Sequence, residues 1–169
     1  EIYEYKTVTE IDFNAFNPVT SLQTVYIPSS ITKIDMYAFS ETNGVTNIFY
    51  EGTKEKYLEI SFHRLANVAC DNFYCLNENK QYYLLETVEL DTIEQSYGIQ
   101  NIQSIYAVTI RHDLAILSAT LQESMHNLTT IYYKANSQAW FQNDFSSLAQ
   151  SKFRDYTAQI YMMNQNGEY

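Results

Sequence analysis

Residues 8–27 read VTEIDFNAFNPVTSLQTVYI, residues 31–50 read ITKIDMYAFSETNGVTNIFY, and the two stretches are versions of one sequence. Each position lies 23 residues before its counterpart, as Ile11 does before Ile34. Five positions are identical in this register: Thr9/Thr32, Ile11/Ile34, Asp12/Asp35, Ala15/Ala38 and Phe16/Phe39. Self-similarity at a fixed period of roughly 20–50 residues is typical of stacked-repeat architectures. We therefore predict that the chain is a repeat protein.

A longer repeat is superimposed on the short one, because many residues recur 83 or 87 positions later. The pairs at offset 83 include Val25/Val108, Ile27/Ile110, Ile48/Ile131, Tyr50/Tyr133 and Phe62/Phe145, and those at offset 87 include Tyr74/Tyr161, Asn77/Asn164 and Tyr82/Tyr169. We predict a single domain over 1–169 that consists of two compound units, 1–82 and 83–169.

At the end of four segments, successive side chains alternate between an inward apolar position and an outward position, as is typical of strands. The four segments are LQTVYI (22–27), VTNIFY (45–50), IYAVTI (105–110) and LTTIYY (128–133). One coil cannot bury its apolar side alone, so successive coils stack and their strands form a parallel sheet. The alternation and the short repeat together predict these core residues: Val25, Ile48, Val108, Ile131, Ile11, Ile34, Phe16 and Phe39.

Other segments predict helices and hairpins. Apolar residues at helical spacing predict short helices over 53–62 and 136–145, with Thr53 and Asn136 as N-caps. The stretches FYCLNENKQYY (73–83) and IYMMNQNGEY (160–169) are typical of hairpins. In the second of these, Asn166-Gly167 is predicted to form a two-residue turn.

The pattern V-T-x-I-D-x-x-A-F, followed by S-L-x-x-V-x-I-P-S-S-I-T-x-I, resembles the BspA-like leucine-rich-repeat family of surface proteins. The segments IFYEGTKEKYLEISF (48–62) and IYYKANSQAWFQNDF (131–145) resemble the I-Y-Y-x-G-T-x-x-x-W ending of that family. The resemblance is weakest over 84–104, where the A-F position is missing. It implies an α/β fold: a right-handed leucine-rich-repeat solenoid with parallel strands on the concave face and short helices and irregular coil on the convex face.

The resemblance also implies a function. Family members are large secreted or surface-attached proteins of host-associated microbes, and some are implicated in adhesion to host matrix glycoproteins. We therefore expect an extracellular or cell-surface module for recognition or adhesion, with a host extracellular protein or glycan as its partner. The alternative is a structural spacer in a larger surface protein, without a ligand of its own. The family offers no catalytic residues to carry over.

Charge and hydropathy exclude two other classes of partner. The chain has 10 Lys plus Arg against 20 Asp plus Glu, a formal net charge of −10. Phosphate binding needs a basic face, so we expect no nucleic-acid partner. No apolar run reaches the roughly 18–20 residues that cross a bilayer, so we expect no membrane insertion.

The sequence shows no pattern typical of catalysis. There is no G-x-S-x-G elbow and no glycine-rich phosphate loop, so we expect no enzymatic activity, no catalytic residue and no cofactor. Glu89 and Asp91 share one strand face, but the asparagine and backbone ligands of a calcium loop are not evident beside them. We therefore expect no metal site. Cys70 and Cys75 fit either two buried thiols or a disulfide.

The outward positions of the predicted sheet are the candidate binding site. Tyr26, Phe49 and Tyr132 each follow an inward residue, Lys134 lies on the same face, and Tyr3 precedes Tyr26 by one period of 23. Neighbouring strands lie about 4.8 Å apart, so Tyr3, Tyr26 and Phe49 would form an aromatic ladder. The ladder fits two interpretations, lateral packing that stabilises the sheet and a recognition surface.

Both ends of the sequence fall inside a repeat. Tyr169 matches Tyr82, after which the first copy continues into LLETVEL, and 1–3 match the middle of a strand. The sequence thus resembles a fragment of a longer array. Open ends of an array expose apolar surface and unpaired backbone groups, so we predict end-to-end self-association.

Overall fold

The computed structural model describes residues 7–17, 19–42, 44–111, 125, 127–135, 138 and 158–169. Within them the regular secondary structure is mostly short strands, with two helices of one turn or slightly more. The elements are β1 (Glu10–Ile11), β2 (Thr24–Ile27), β3 (Lys33–Ile34), β4 (Asn47–Tyr50), α1 (Lys54–Leu58), β5 (Ser61–Phe62), β6 (Ala69–Cys70), β7 (Asn72–Leu76), β8 (Tyr82–Leu84), β9 (Thr87–Leu90), α2 (Ile93–Tyr97), β10 (Asn101–Ile102), β11 (Ala107–Arg111), β12 (Thr130–Lys134) and β13 (Gln159–Met162).

Two four-stranded sheets contain the longer strands. One has the order β2-β4-β7-β8 and the other β13-β12-β11-β9. Every pair is parallel except β7 with β8. Val25 lies opposite Ile48, and Val108 lies opposite Ile131. The four predicted strands and their one-period register are therefore confirmed.

Two smaller parallel sheets join segments that lie between the longer strands in the sequence. In the first, Ile11 pairs with Ile34 and Ile34 pairs with Phe62, in the order β1-β3-β5. The second joins β6 of the first compound unit to β10 of the second. Only the β1–β3 pairing has the 23-residue offset, because Phe62 follows Ile34 by 28 residues and Ile102 follows Cys70 by 32.

The predicted helix over 53–62 is too long. Thr53 is its N-cap, as predicted, and its hydroxyl accepts the N–H of Lys56 at 3.4 Å. The helix ends at Leu58, and Phe62 belongs instead to β5. The backbone N–H of Ser61 donates to Thr32 O at 2.9 Å, so parallel pairing replaces the helical bonds. The predicted helix over 136–145 lies outside the described residues, apart from Gln138.

The helix α2 lies in the region where the resemblance is weakest, and it was not predicted. Its N-terminus is a capping box: the Thr92 hydroxyl accepts from the N–H of Gln95, and the Gln95 side chain accepts from the N–H of Thr92. The Ser96 hydroxyl donates to Ile93 O at 2.6 Å, which satisfies this buried polar group. The region 84–104 therefore contains the strand β9, the helix α2 and the strand β10 in place of the missing A-F motif.

The core follows the inward positions of the strands. Ile11, Ile34, Phe39, Val25, Ile48, Val108 and Ile131 are buried, as predicted. Phe16 is only partly buried and stacks on Phe39, with ring centroids 5.0 Å apart. Cys70 and Cys75 are free, buried thiols rather than a disulfide. Burial raises the pKa of each thiol to about 12.

The predicted hairpin over 73–83 is confirmed as the antiparallel pair β7–β8. Its turn begins at Asn77, whose side-chain oxygen accepts the N–H groups of Asn79 and Gln81. Asn164 makes the same two bonds, to Asn166 and Glu168. Gly167 donates its N–H to Asn164 O at 3.1 Å, so the central residues of this turn are 165 and 166. The predicted Asn166-Gly167 two-residue turn is therefore wrong by one position.

Candidate recognition surface

Four aromatic rings from successive strands meet on the outward face of the first sheet. Tyr26, Phe49 and Tyr74 lie side by side in the strand register. Their rings are stacked: the centroid distance is 5.0 Å for Tyr26–Phe49 and 4.6 Å for Phe49–Tyr74, with interplanar angles of 14° and 9°. Tyr82, on β8, meets Phe49 edge-on at 5.1 Å. These four residues are the first aromatic cluster.

The second sheet contains the same arrangement. Tyr132 stacks on Tyr161 at 5.5 Å and 25°, and Tyr169 meets Tyr132 edge-on at 5.1 Å and 67°. These three residues are the second aromatic cluster. They stand at offsets of 83 and 87 from Phe49, Tyr74 and Tyr82, so one three-ring unit occurs twice. The position of the fourth ring, Tyr26, is Thr109 in the second sheet.

Much of this aromatic surface is exposed. The exposed fraction is 63% for Tyr26, 42% for Tyr82, 41% for Tyr161 and 50% for Tyr169. Phe49, Tyr74 and Tyr132 are half-buried beneath or between the other rings. The residues that precede Tyr26, Phe49 and Tyr132 are buried because strand side chains alternate between the two faces. Both clusters therefore present rings to solvent from hydrogen-bonded strands.

Ion pairs lie beside the second cluster. Lys134 donates to the carboxylate of Glu89, two strands away, and this hydrogen bond raises the pKa of the Lys134 ammonium. Arg111 lies 3.9 Å from the carboxylate of Asp91. Glu89 and Asp91 are thus both paired with cations. Among the described residues, no group of three or more His, Cys, Asp or Glu could hold a metal ion.

The corresponding position beside the first cluster carries the opposite charge. Glu51 stands 83 residues before Lys134. Its N–H donates to Ile27 O at 2.9 Å, which continues the strand pairing beyond β4, and its side chain is exposed. Burial raises the pKa of the Tyr82 hydroxyl, and the Glu51 carboxylate and Tyr26 raise it further. Glu51 follows Phe49 by two residues, so strand alternation places its side chain on the same face as the first cluster.

Comparison with known proteins agrees with this repeated arrangement. A family model described as the BspA type leucine rich repeat region, in six copies, matches residues 1–107. The chain belongs to the BspA-type leucine-rich repeat family.

Membership implies a repeat, solenoid-like fold and surface recognition between proteins in general, and BspA-type proteins are typically surface-associated. No curated protein and no solved structure shows significant similarity to the chain. In the described ranges, no helix is long and apolar enough to cross a membrane.

The predicted site residues of this BspA-type chain are distributed over both clusters. Tyr26 and Phe49 meet in the first cluster, and Tyr132 and Lys134 lie together in the second sheet. Tyr3 lies outside the described residues. The prediction missed four rings: Tyr74, Tyr82, Tyr161 and Tyr169. The matched offset of 87, which pairs Tyr74 with Tyr161 and Tyr82 with Tyr169, is the signal in the sequence that points to them.

Proposed function

We propose that the chain is a non-catalytic recognition module, extracellular or attached to a cell surface, which binds a host extracellular protein through its outward strand face. The observation that carries this proposal is the repetition of one exposed three-ring unit in both sheets. Membership of the BspA-type family supports a surface role. In this proposal the coils form a right-handed solenoid, and the face with the two clusters is its concave side.

The chemistry of the clusters suits protein recognition. Tyrosine supplies a large, rigid contact area at a low cost in conformational entropy, and it carries a hydroxyl for hydrogen bonds. Stacking fixes the rings before a partner arrives, so less side-chain freedom is lost on binding. Tyr26, for example, stacks on Phe49 and still exposes 63% of its surface.

The outward face also varies between the two units in a way that packing does not require. Thr109 replaces Tyr26, and Lys134 replaces Glu51, while the buried neighbours keep their character. A spacer needs only the inward residues and the cross-strand contacts. Variation on the outward face supports recognition over the spacer alternative.

The proposal is tested by binding of the purified chain to immobilised matrix glycoproteins and to a glycan array, measured by biolayer interferometry. The double variant Phe49→Ser/Tyr132→Ser removes one ring from each cluster. Phe13→Ser is the matched control, because Phe13 is 51% exposed and contacts Tyr37 outside both clusters. We expect a glycoprotein to bind the unmodified chain and the control but not the double variant. No binding in the panel, or equal binding by all three proteins, would favour the spacer; binding to glycans alone would change the class of partner.

A further inference from the structure

The two aromatic clusters differ in the charge placed beside them. In the second sheet the position is occupied by Lys134, and in the first by Glu51. The three-ring unit has the same geometry in both sheets, with one stacked and one edge-on contact, and Tyr26 adds a second stacked contact in the first sheet. Two chemical differences therefore distinguish the surfaces: the sign of the local charge, and Tyr26 in the first sheet where the second has Thr109.

The second cluster already holds a cation of its own. The Lys134 ammonium is bound by the Glu89 carboxylate and acts on the Tyr169 hydroxyl, whose burial raises its pKa while Lys134 opposes that rise. An acid, a cation and tyrosine rings thus lie together on that sheet. The first cluster has the acid and the rings, but in the described part of the chain no cation is paired with Glu51.

We propose that the first aromatic cluster and Glu51 bind an arginine side chain presented by a basic segment of the partner protein. A guanidinium can stack on the exposed face of a tyrosine ring and at the same time donate two N–H groups to a carboxylate. Tyr26 and Tyr82 supply the exposed rings, at 63% and 42%, and Glu51 supplies the carboxylate. Arginine suits such a site better than lysine, because its planar guanidinium can stack on a ring and bind a carboxylate through two N–H groups. The ammonium of lysine is a strongly hydrated point charge.

The overall charge favours the same partner. At a formal net charge of −10, the chain attracts basic segments over long range and repels acidic ones. This attraction is not specific to one site, so the arginine site must be distinguished from it. The inference rests on the proposed function and adds the chemistry of the partner.

The test uses fluorescein-labelled tetra-arginine amide and tetra-lysine amide, titrated with the protein and followed by fluorescence anisotropy in 50 mM NaCl. Glu51→Lys reverses the charge at the site, and Glu41→Lys makes the same change in net charge at an exposed turn between β3 and β4. We expect Glu51→Lys to weaken binding of tetra-arginine about tenfold and Glu41→Lys less than about twofold. Equal weakening by both variants would overturn the inference, because binding would then follow net charge alone.

The ring contribution has its own readout. The unmodified chain should bind tetra-arginine about fivefold more tightly than tetra-lysine, and Tyr26→Leu, which keeps apolar bulk without the ring, should reduce that preference. Equal affinity for the two peptides would contradict stacking. Failure of the arginine site can be distinguished from failure of the proposed function. If Phe49→Ser/Tyr132→Ser abolishes binding of a glycoprotein and Glu51→Lys does not, the recognition surface is supported and the arginine site is contradicted.

Discussion

Lys80→Gly is expected to stabilise the protein, because the two hairpin turns are the same turn with different residues at one strained position. Lys80 has a φ of +58°, a conformation that side chains with a Cβ adopt at a cost, and it is exposed. Gly167, which stands 87 residues later, occupies the matching position with a φ of +82°. Both turns are closed by an asparagine, Asn77 or Asn164, that accepts two backbone N–H groups.

The size of the effect follows from two opposing terms. Removing the Cβ at positive φ gains roughly 1–2 kcal/mol in the folded state. Glycine gives the unfolded chain more conformational freedom, which lowers the free energy of unfolding by roughly 0.4–1 kcal/mol. The free energy of unfolding is therefore expected to rise by about 0.5–1 kcal/mol in total. The reciprocal change Gly167→Lys should lose a similar amount through backbone strain alone, since a Cβ there meets nothing within 4 Å.

Urea unfolding followed by circular dichroism measures both variants. With a slope of about 2 kcal/mol/M, Lys80→Gly should raise the midpoint by roughly 0.3–0.5 M. Lys80→Ala is the control, because it removes the charged side chain but keeps the Cβ, and its midpoint should stay near that of the unmodified chain. If alanine stabilises as much as glycine, the lysine side chain and not the backbone is responsible, and the reasoning is wrong.

Two further predictions concern buried groups. Tyr57→Phe removes the hydroxyl that donates to Gly98 O at 2.7 Å, and it should lower the free energy of unfolding by about 1–3 kcal/mol. Tyr50→Phe should be neutral or stabilising, because in the described ranges the buried Tyr50 hydroxyl has no hydrogen-bond partner. Equal losses of stability in urea unfolding would contradict this prediction. Burial raises the pKa of Cys70 and Cys75 to about 12, whereas a thiol in the unfolded chain has a pKa of about 8.5. The folded state therefore favours the neutral thiols, and their contribution to stability is complete below a pH of about 8.5 and declines as the pH rises toward 12. Urea midpoints measured from pH 7 to 11 should fall over this range, and native thiols should resist iodoacetamide at pH 8 until the chain unfolds.

The strands and their register could be predicted from the sequence because two independent periods agree on them. Alternation assigns Val25 and Ile48 to the inside, and the offset of 23 places them opposite each other. A shift of one residue would move apolar side chains to the outward face, and the 23-residue offset between matching residues excludes a shift of two. Ile11 and Ile34 were predictable for the same reason.

The features that were missed depend on contacts that the periods do not encode. The strand β5 has two residues, too few to show alternation, so Phe62 was assigned to the preceding helix. Phe16 lies beside Phe39 near the edge of the core, where burial depends on neighbours and not on spacing. Tyr82 reaches the first aromatic cluster only because the β7–β8 hairpin folds it back over Phe49.

The central claim, that the outward rings recognise a partner, is tested most directly by comparing affinity and stability for the single substitutions Phe49→Ser and Tyr132→Ser. The affinity is that for a matrix glycoprotein selected with the unmodified chain. If the clusters are the recognition surface, at least one substitution should weaken binding by about 2 kcal/mol, roughly 30-fold, while stability falls by only about 0.2–1 kcal/mol. Ile48→Ser should instead unfold its coil, because Ile48 is fully buried. An affinity unchanged by both outward substitutions would contradict the claim and leave the rings as sheet packing.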